Sequence, residues 1–440
     1  MNPVSRYLFK FVLVPFVLFV SAAASAQDVA ELSSGDTAWM LTSTALVLFM
    51  TLPGLALFYG GLVRAKNVLS VLMQCFVIAC MVSVLWVIYA YSLTFGPGGA
   101  FIGGLSKAFM NGVAEDSLWG TIPETVFSTF QLTFAIITPA LVVGAFAERM
   151  KFSSMLLFSA LWLTFVYAPI AHWVWAADGW LFKKGILDFA GGTVVHTTCG
   201  VAALMCALSM GPRSGFPDSP MMPHNMTISV AGACMLWVGW FGFNAGSAVA
   251  ANGNAGMAML ATHTSAAAGA LAWMAAEWIK YGKPSVLGVA TGTIAGLATI
   301  TPASGYVGPG GALIIGLLAG VICFSATNFM KRSLKVDDSL DVFPVHAIGG
   351  MLGTFLVGVF ASASLGVFSG QGYIYNENIT SMGQQLGVQV IGVLAVAIYT
   401  AVITFALLKL VSAVLGLRVS TEDETVGLDT SQHNERGYNL

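Results

Sequence analysis

Apolar stretches long enough to cross a bilayer recur eleven times along this chain, at 39–62, 67–94, 124–147, 152–175, 189–210, 226–250, 256–279, 285–303, 310–330, 342–362 and 383–416. A spanning helix requires roughly 17–25 such residues. Between them lies the expected punctuation: Gly96-Pro97-Gly98-Gly99, the segments 212–223 and 302–309, and the polar stretch 369–385. Period-two alternation is absent, and backbone in lipid must satisfy its own polar groups, which leaves helices as the spanning element. Only 9% of residues are charged while 57% are hydrophobic, against roughly a quarter charged in soluble domains. The fold class that follows is an all-α integral membrane protein of eleven transmembrane helices.

Residues 1–26 carry Arg6 and Lys10, a short apolar run and then Ala24-Ser25-Ala26, the pattern of a cleaved secretory signal. The mature chain then begins at Gln27, outside the cytoplasm. Threading eleven helices from there puts Arg64, Lys66, Arg149, Lys151, Arg213, Lys280, Lys283, Lys331, Arg332, Lys335, Lys409, Arg418 and Arg436 on the cytoplasmic side, with Lys107, Lys183 and Lys184 opposite. Positive charge concentrates inside, so the expected orientation is N-out, C-in. Ten helices divide into two five-helix halves of opposite direction plus a final long helix, and inverted halves of this kind build sites at their interface. Asp188 before His196, and Asp341 before His346, occupy corresponding places.

Lys and Arg total 18 against 20 Asp and Glu, which lacks the basic surplus that draws a chain onto nucleic acid. The six cysteines sit in apolar runs with no metal or redox spacing and read as small buried hydrophobes. No cofactor or metal is implied.

Ionisable side chains inside a membrane are costly and mark function by default. Here they are chiefly histidines: His172, His196, His263 and His346. Gly192 and Gly200 flank His196, and Gly349 and Gly350 follow His346, so other backbones can approach closely. Two imidazoles meeting there would relay hydrogen bonds or a proton; the other reading is that each satisfies a neighbouring helix, which is preferred for His172 and His263. Phe130 and Phe134 share one helix face at i, i+4, Trp175 ends the fourth span, and Trp240 to Ser247 ends the sixth with aromatic, small and polar residues. Such a cluster is either an interfacial belt or a gate whose ring faces attract a small cation.

The run Asp188-Phe189-Ala190-Gly191-Gly192-Thr193-Val194-Val195-His196 closely resembles the signature of the Amt/Mep/Rh ammonium transporter family. The resemblance, to the bacterial Amt type, continues through Gly144 to Arg149, Gly239 to Ser247 and Asp341 to His346, and covers the mature chain. It implies a homotrimer in the cytoplasmic (inner) membrane, surrounded by lipid, with one pore per subunit for ammonium, ammonia or methylammonium. Phe130, Trp175 and Ser247 match an outer recruitment site, Phe134 and Phe243 a stacked pair closing the pore, and His196 and His346 twin histidines lining the lumen. Asp188 matches a supporting acid rather than a ligand. Ammonium would lose its proton and cross as ammonia, with net charge following along the histidines. Residues 27–416 form the membrane domain, and 417–440 resemble the regulatory cytoplasmic tail that permits blockade by a PII-type signalling protein. Within that tail Glu422, Asp423, Glu424, Asp429 and Glu435 read as solvated, and Asn434 stands where the family more often has Gly.

Three other classes are separable. An ammonium sensor commonly carries an appended signalling domain, for which 417–440 is too short; a membrane enzyme would need a nucleophile or HExxH motif beside the histidines; an electroneutral ammonia, gas or water channel would differ in whether flux carries charge and requires ammonium.

Overall fold

The computed structural model describes residues 31–373 and 376–438; the expected leader at 1–26 lies outside them. Each of the eleven apolar stretches falls on a helix: α1 (Ser34–Leu62), α2 (Ala65–Phe95), α3 (Glu124–Phe146), α4 (Phe152–Lys184), α5 (Gly192–Met210), α6 (Met226–Ala248), α7 (Gly253–Tyr281), α8 (Val286–Ile300), α9 (Pro309–Leu334), α10 (Phe343–Phe360) and α11 (Met382–Leu415). Among the described residues nine of these are long and apolar enough to cross a membrane by length and composition. The two that fall short are α7 and α8. The first is alanine-rich and carries His263, Glu277 and Lys280, and the second has only 15 residues.

Small side chains explain why α7 holds its place with so little apolar bulk. A Cβ at Gly320 of α9 would run into the Gly269 carbonyl of α7, and Gly292 and Gly296 of α8 lie against the same helix. Backbones that approach this closely gain dispersion contacts and lose little side-chain entropy. Strand structure among the described residues is confined to a hairpin of Leu118–Trp119 with Ile122–Pro123. Four cysteines, Cys75, Cys199, Cys206 and Cys323, are buried as expected; Cys80 and Cys234 instead sit exposed on the outside of the bundle, because their helices turn those positions away from neighbours.

One end of the bundle carries the tail and is here termed the tail face. Its loops are joined by a buried ionic network. Arg213 grips Asp337 with Nε at 3.0 Å and Nη2 at 2.8 Å and reaches Glu148 at 3.3 Å; Glu148 also meets Arg64 at 2.7 Å. Arg149 donates to Ser339 Oγ at 2.6 Å and to the Asp337 carbonyl at 2.7 Å. Burial alone would raise the Glu148 carboxyl, but Arg213 and Arg64 hold it below its usual value. The Gly144 to Arg149 motif is thus a brace between the α3–α4, α5–α6 and α9–α10 connections.

The tail forms α12 (Thr421–Val426) and α13 (Leu428–His433) against this face. Two of its five acids are not solvated: Glu424 and Asp429 are buried. Each accepts backbone N–H groups that would otherwise be orphaned, Glu424 from Ser214 at 2.7 Å and Asp429 from Leu69 and Ser70 at 3.1 and 2.7 Å. Asn434 adopts φ 55°, a left-handed conformation that asparagine tolerates, so the turn forms without glycine.

Candidate functional site

Both histidine-bearing helices begin the same way. Asp188 precedes α5, and its carboxylate accepts from the backbone N–H groups of Gly191 (2.8 Å), Gly192 (2.6 Å), Thr193 (2.7 Å) and Val194 (3.3 Å), and from the Thr193 hydroxyl. Gly191, at φ 113°, makes the turn that brings those donors round. A π-turn, Gly192–Thr197, then carries His196 eight residues after the acid. In α10 the π-turn Phe343–Ala347 carries His346, and the acid eight residues before it is Asp338, which accepts from Phe343 N–H at 2.7 Å. The counterpart of Asp188 is therefore Asp338 and not Asp341. Asp341 instead pairs with Lys331 at 2.6 Å, because its own backbone turns at φ 61° and sends it off the helix start.

Asp338 is a buried acid with one oxygen lacking a partner. Burial, then the nearby charge of Asp341, push its carboxyl up to about 7. A folded-state value above the ordinary 3.8 means the charged form is disfavoured in the native state. Its stabilising contribution is complete below the ordinary value and is lost as pH rises to about 7. Melting temperature in detergent is expected to fall across that interval, and Asp338→Asn, which keeps an acceptor for Phe343, is expected to flatten the fall. An unchanged pH slope in the variant would exclude Asp338 as the cause.

His196 and His346 come together at the bundle centre. Their Nδ1 atoms are 3.2 Å apart, with ring centroids at 5.3 Å and planes within 20°. Gly200 and Gly350 make this approach possible, since a Cβ on either would strike Ala347 or His196. Thr301 completes the arrangement. Its hydroxyl donates to Leu297 O at 2.8 Å and accepts from Trp240 Nε1 at 2.9 Å, which leaves His196 Nε2, at 3.3 Å, to be a donor. Those partners assign the tautomers: His196 is protonated on Nε2, so its Nδ1 accepts and His346 Nδ1 donates. Trp240 also stacks on the His196 ring, at 5.5 Å and 23°.

Toward the face opposite the tail, Phe243 lies 6.1 Å from the His196 ring and 4.2 Å from Phe134, and Phe134 meets Trp175 edge-on at 5.7 Å. Beyond this pair opens a cavity of about 260 Å³ lined by Phe134, Trp175, Ser247, Phe95 and Trp119 among others. Trp175 Nε1 donates to Asp188 O at 3.0 Å, and Ser247 Oγ donates to Phe243 O at 2.8 Å. Phe130 does not line this mouth; it is fully buried behind Phe134, at 5.0 Å, and against Gly246. Beneath the two phenylalanines a space of about 10 Å³ is bounded by His196, His346, Trp240, Phe58, Tyr59 and aliphatic side chains, room for roughly one water-sized molecule. His346 also borders a cavity of about 90 Å³ that opens at the tail face beside Lys331, Ser339 and Asp341. Mouth, phenylalanine pair, histidine pair and vestibule form one narrow, mostly apolar path through the bundle.

The Ammonium Transporter Family profile matches residues 38–438. The chain belongs to the ammonium transporter family. Ammonium transporter Amt1 of Archaeoglobus fulgidus is 45% identical over 408 residues, 92% of this chain and 100% of its own. Among solved structures, a sensor Amt protein superposes with a TM-score of 0.84 at 30% identity, covering 91% of this chain and 98% of its own. Saccharomyces cerevisiae Mep2 gives 0.80 at 35% identity, covering 89% of each. The family is one of multi-pass membrane transporters, and ammonium or ammonia is its substrate.

For a member of this family, the sequence pointed to the residues on the path and to Asp188, but not to Thr301 or Asp338. Thr301 carried no signal beyond a polar residue before Pro302, and Asp338 was hidden beside a second acid. Sγ of Cys199 and one ring nitrogen each of His196 and His346 lie within 4.8 Å of one another. These are soft donors of the kind metals take, but they are already engaged, Cys199 with the His196 carbonyl at 3.5 Å and His196 with His346 and Thr301.

Proposed function

We propose that this protein takes up ammonium across the cytoplasmic membrane by separating it into ammonia and a proton. Trp175 and Ser247, with Phe130 supporting Phe134 from behind, receive the cation at the outer mouth. Phe134 and Phe243 exclude water and hydrated ions, and ammonia passes His196 and His346 by hydrogen bonding. The proton follows by way of the imidazoles, so transport carries net charge. Asp188 holds the start of α5 and is not a ligand. The observation that carries this reading is the 3.2 Å contact between two imidazoles inside a space that fits one small molecule and is otherwise apolar. A charge at the bilayer centre costs at least about 3 kcal/mol. Neutral ammonia avoids that cost, and potassium cannot.

All eleven helices cross in this reading, as two inverted five-helix halves and α11, with the tail face in the cytoplasm, as the distribution of Lys and Arg favours. Residues 1–26 are removed as a signal, 27–416 form the membrane domain of a homotrimer, and 417–440 act as a regulatory tail and docking element for a PII-type protein. The tail's buried Glu424 and Asp429 support a fixed position for it.

The likeness to a sensor Amt protein makes sensing with little transport the second reading. Purified protein in liposomes separates the two. A current on ammonium addition with none on potassium is expected; alkalinisation of the lumen without current would mean electroneutral ammonia conduction, and silence in both would favour the sensor.

A further inference from the structure

His172 lies on α4 three residues before Trp175 and takes no part in the path. Its ring is buried, and each nitrogen faces a backbone carbonyl: Nδ1 is 2.8 Å from Thr94 O and Nε2 is 2.7 Å from Gly99 O. A carbonyl oxygen only accepts, and neutral imidazole has a single N–H. In the neutral ring one of these two short contacts would set lone pair against lone pair. The doubly protonated ring donates to both, and both distances are those of charge-assisted bonds.

We propose that His172 is carried as an imidazolium and serves as a positioning residue, its charge clamping the 94–101 segment to α4 and thereby fixing Trp175 at the mouth. The segment is gathered in from several sides. Trp173 Nε1 donates to Phe101 O at 2.7 Å, Trp180 N–H donates to Ala100 O at 3.1 Å, and the Phe101 ring packs against the Trp173 and Trp180 rings at 6.2 and 6.3 Å. The carbonyls of residues 99, 100 and 101 are thus each engaged by a group of α4, Gly99 by the His172 ring, Ala100 by the Trp180 N–H and Phe101 by the Trp173 indole. On the other side of the clamp, Ala176 N–H donates to His172 O at 3.2 Å, and Trp175 is held by Asp188 O. One helical turn therefore joins the clamped ring to the indole at the mouth.

No carboxylate among the described residues pairs with this ring. On α2, Tyr91 donates to Glu124, which is paired with Lys107. Asp178 and Lys183, near the end of α4, pair with each other at 3.7 Å on the surface. Asp188, at the start of α5, is occupied by its five donors. On α11, whose Tyr399 packs on Trp173, the charged residue is Lys409, ten positions further along. The two carbonyls therefore take the place of a counter-ion, and the clamp holds whether or not Trp175 receives ammonium.

Solid-state NMR on the full chain in lipid bilayers reads the protonation directly, with ¹⁵N-labelled histidine and carbonyl-¹³C-labelled threonine and glycine. At neutral pH one ring is expected with both nitrogens protonated and correlated to the Thr94 and Gly99 carbonyl carbons. A ring with those correlations and only one proton, or no such correlations, would overturn the proposal without any variant. For the positioning role, the KM for ammonium is measured at one outer pH at which the substrate is protonated. His172→Gln, which turns an acceptor toward one of the two carbonyls, is expected to raise KM several-fold with kcat little changed. His172→Lys, which donates to both carbonyls, is expected to restore the KM of the unmodified protein. The same KM in all three would remove the positioning role.

Discussion

Replacing both His196 and His346 with alanine is expected to leave a folded protein that has lost its preference for ammonium over potassium. The imidazoles fill the narrow space and bond to each other, to Thr301 and against Trp240. Without them the space widens, and Thr301 and Trp240 are left facing it, so water can enter. The barrier that excluded a bare charge, at least about 3 kcal/mol and so a factor of roughly 10², largely disappears. Ammonium and potassium currents recorded in the same proteoliposomes check this. Selectivity in the double variant within a fewfold of the unmodified protein would sink the proposed separation of ammonia from its proton.

Asp188→Ala is expected to be the most destabilising single change near the path. It strands four backbone N–H groups and the Thr193 hydroxyl in a buried place. Each unsatisfied donor costs about 1–3 kcal/mol, and together they rival the whole stability of a typical domain. Little correctly assembled protein should survive size-exclusion chromatography in detergent. Asp188→Asn keeps one oxygen and turns an amide N–H₂ toward the remaining donors, so it should lose about half as much. If Asp188 were instead a ligand for ammonium, Asp188→Asn would fold as well as the unmodified chain and fail only in transport.

Span positions were legible because apolar runs and their glycine and proline interruptions are local, and each of the eleven runs falls on a helix. The histidine pair was legible for a different reason: imidazoles are costly in a membrane, and these have glycines placed to admit another helix. Helix α7 was harder to weigh, since alanine and glycine are indifferent to lipid and become informative only once Gly269 is seen against Gly320. Which acid of Asp337, Asp338 and Asp341 begins α10 depends on how the α9–α10 loop turns over Arg149 and Arg213, and no local pattern records that. Phe130 matched a mouth residue by position but lies behind Phe134, because Gly246 leaves room for its ring against α6, a contact between distant segments that no local pattern records. The tail's buried acids were masked by their polar neighbours; only the backbone N–H groups of Leu69 and Ser70, early in α2, explain Asp429.

The Thr301 hydroxyl gives the central hydrogen bonds a sense of direction. With His196 Nε2–H pointing to Thr301 and His346 Nδ1–H pointing to His196, every proton in the row is aimed from the vestibule side toward the mouth side, and the accepting end is His346 Nε2. In the proposed relay, a row ordered this way would accept a proton at the vestibule end and would have to be inverted before it could accept one at the mouth end. Each inward proton would therefore leave the row reversed, and the next would wait until both rings had exchanged their protons and Thr301 had been re-engaged. In the proposed relay Thr301 would then set the direction of the row, and Thr301→Val is expected to ease its resetting, read as a larger ammonium current in proteoliposomes.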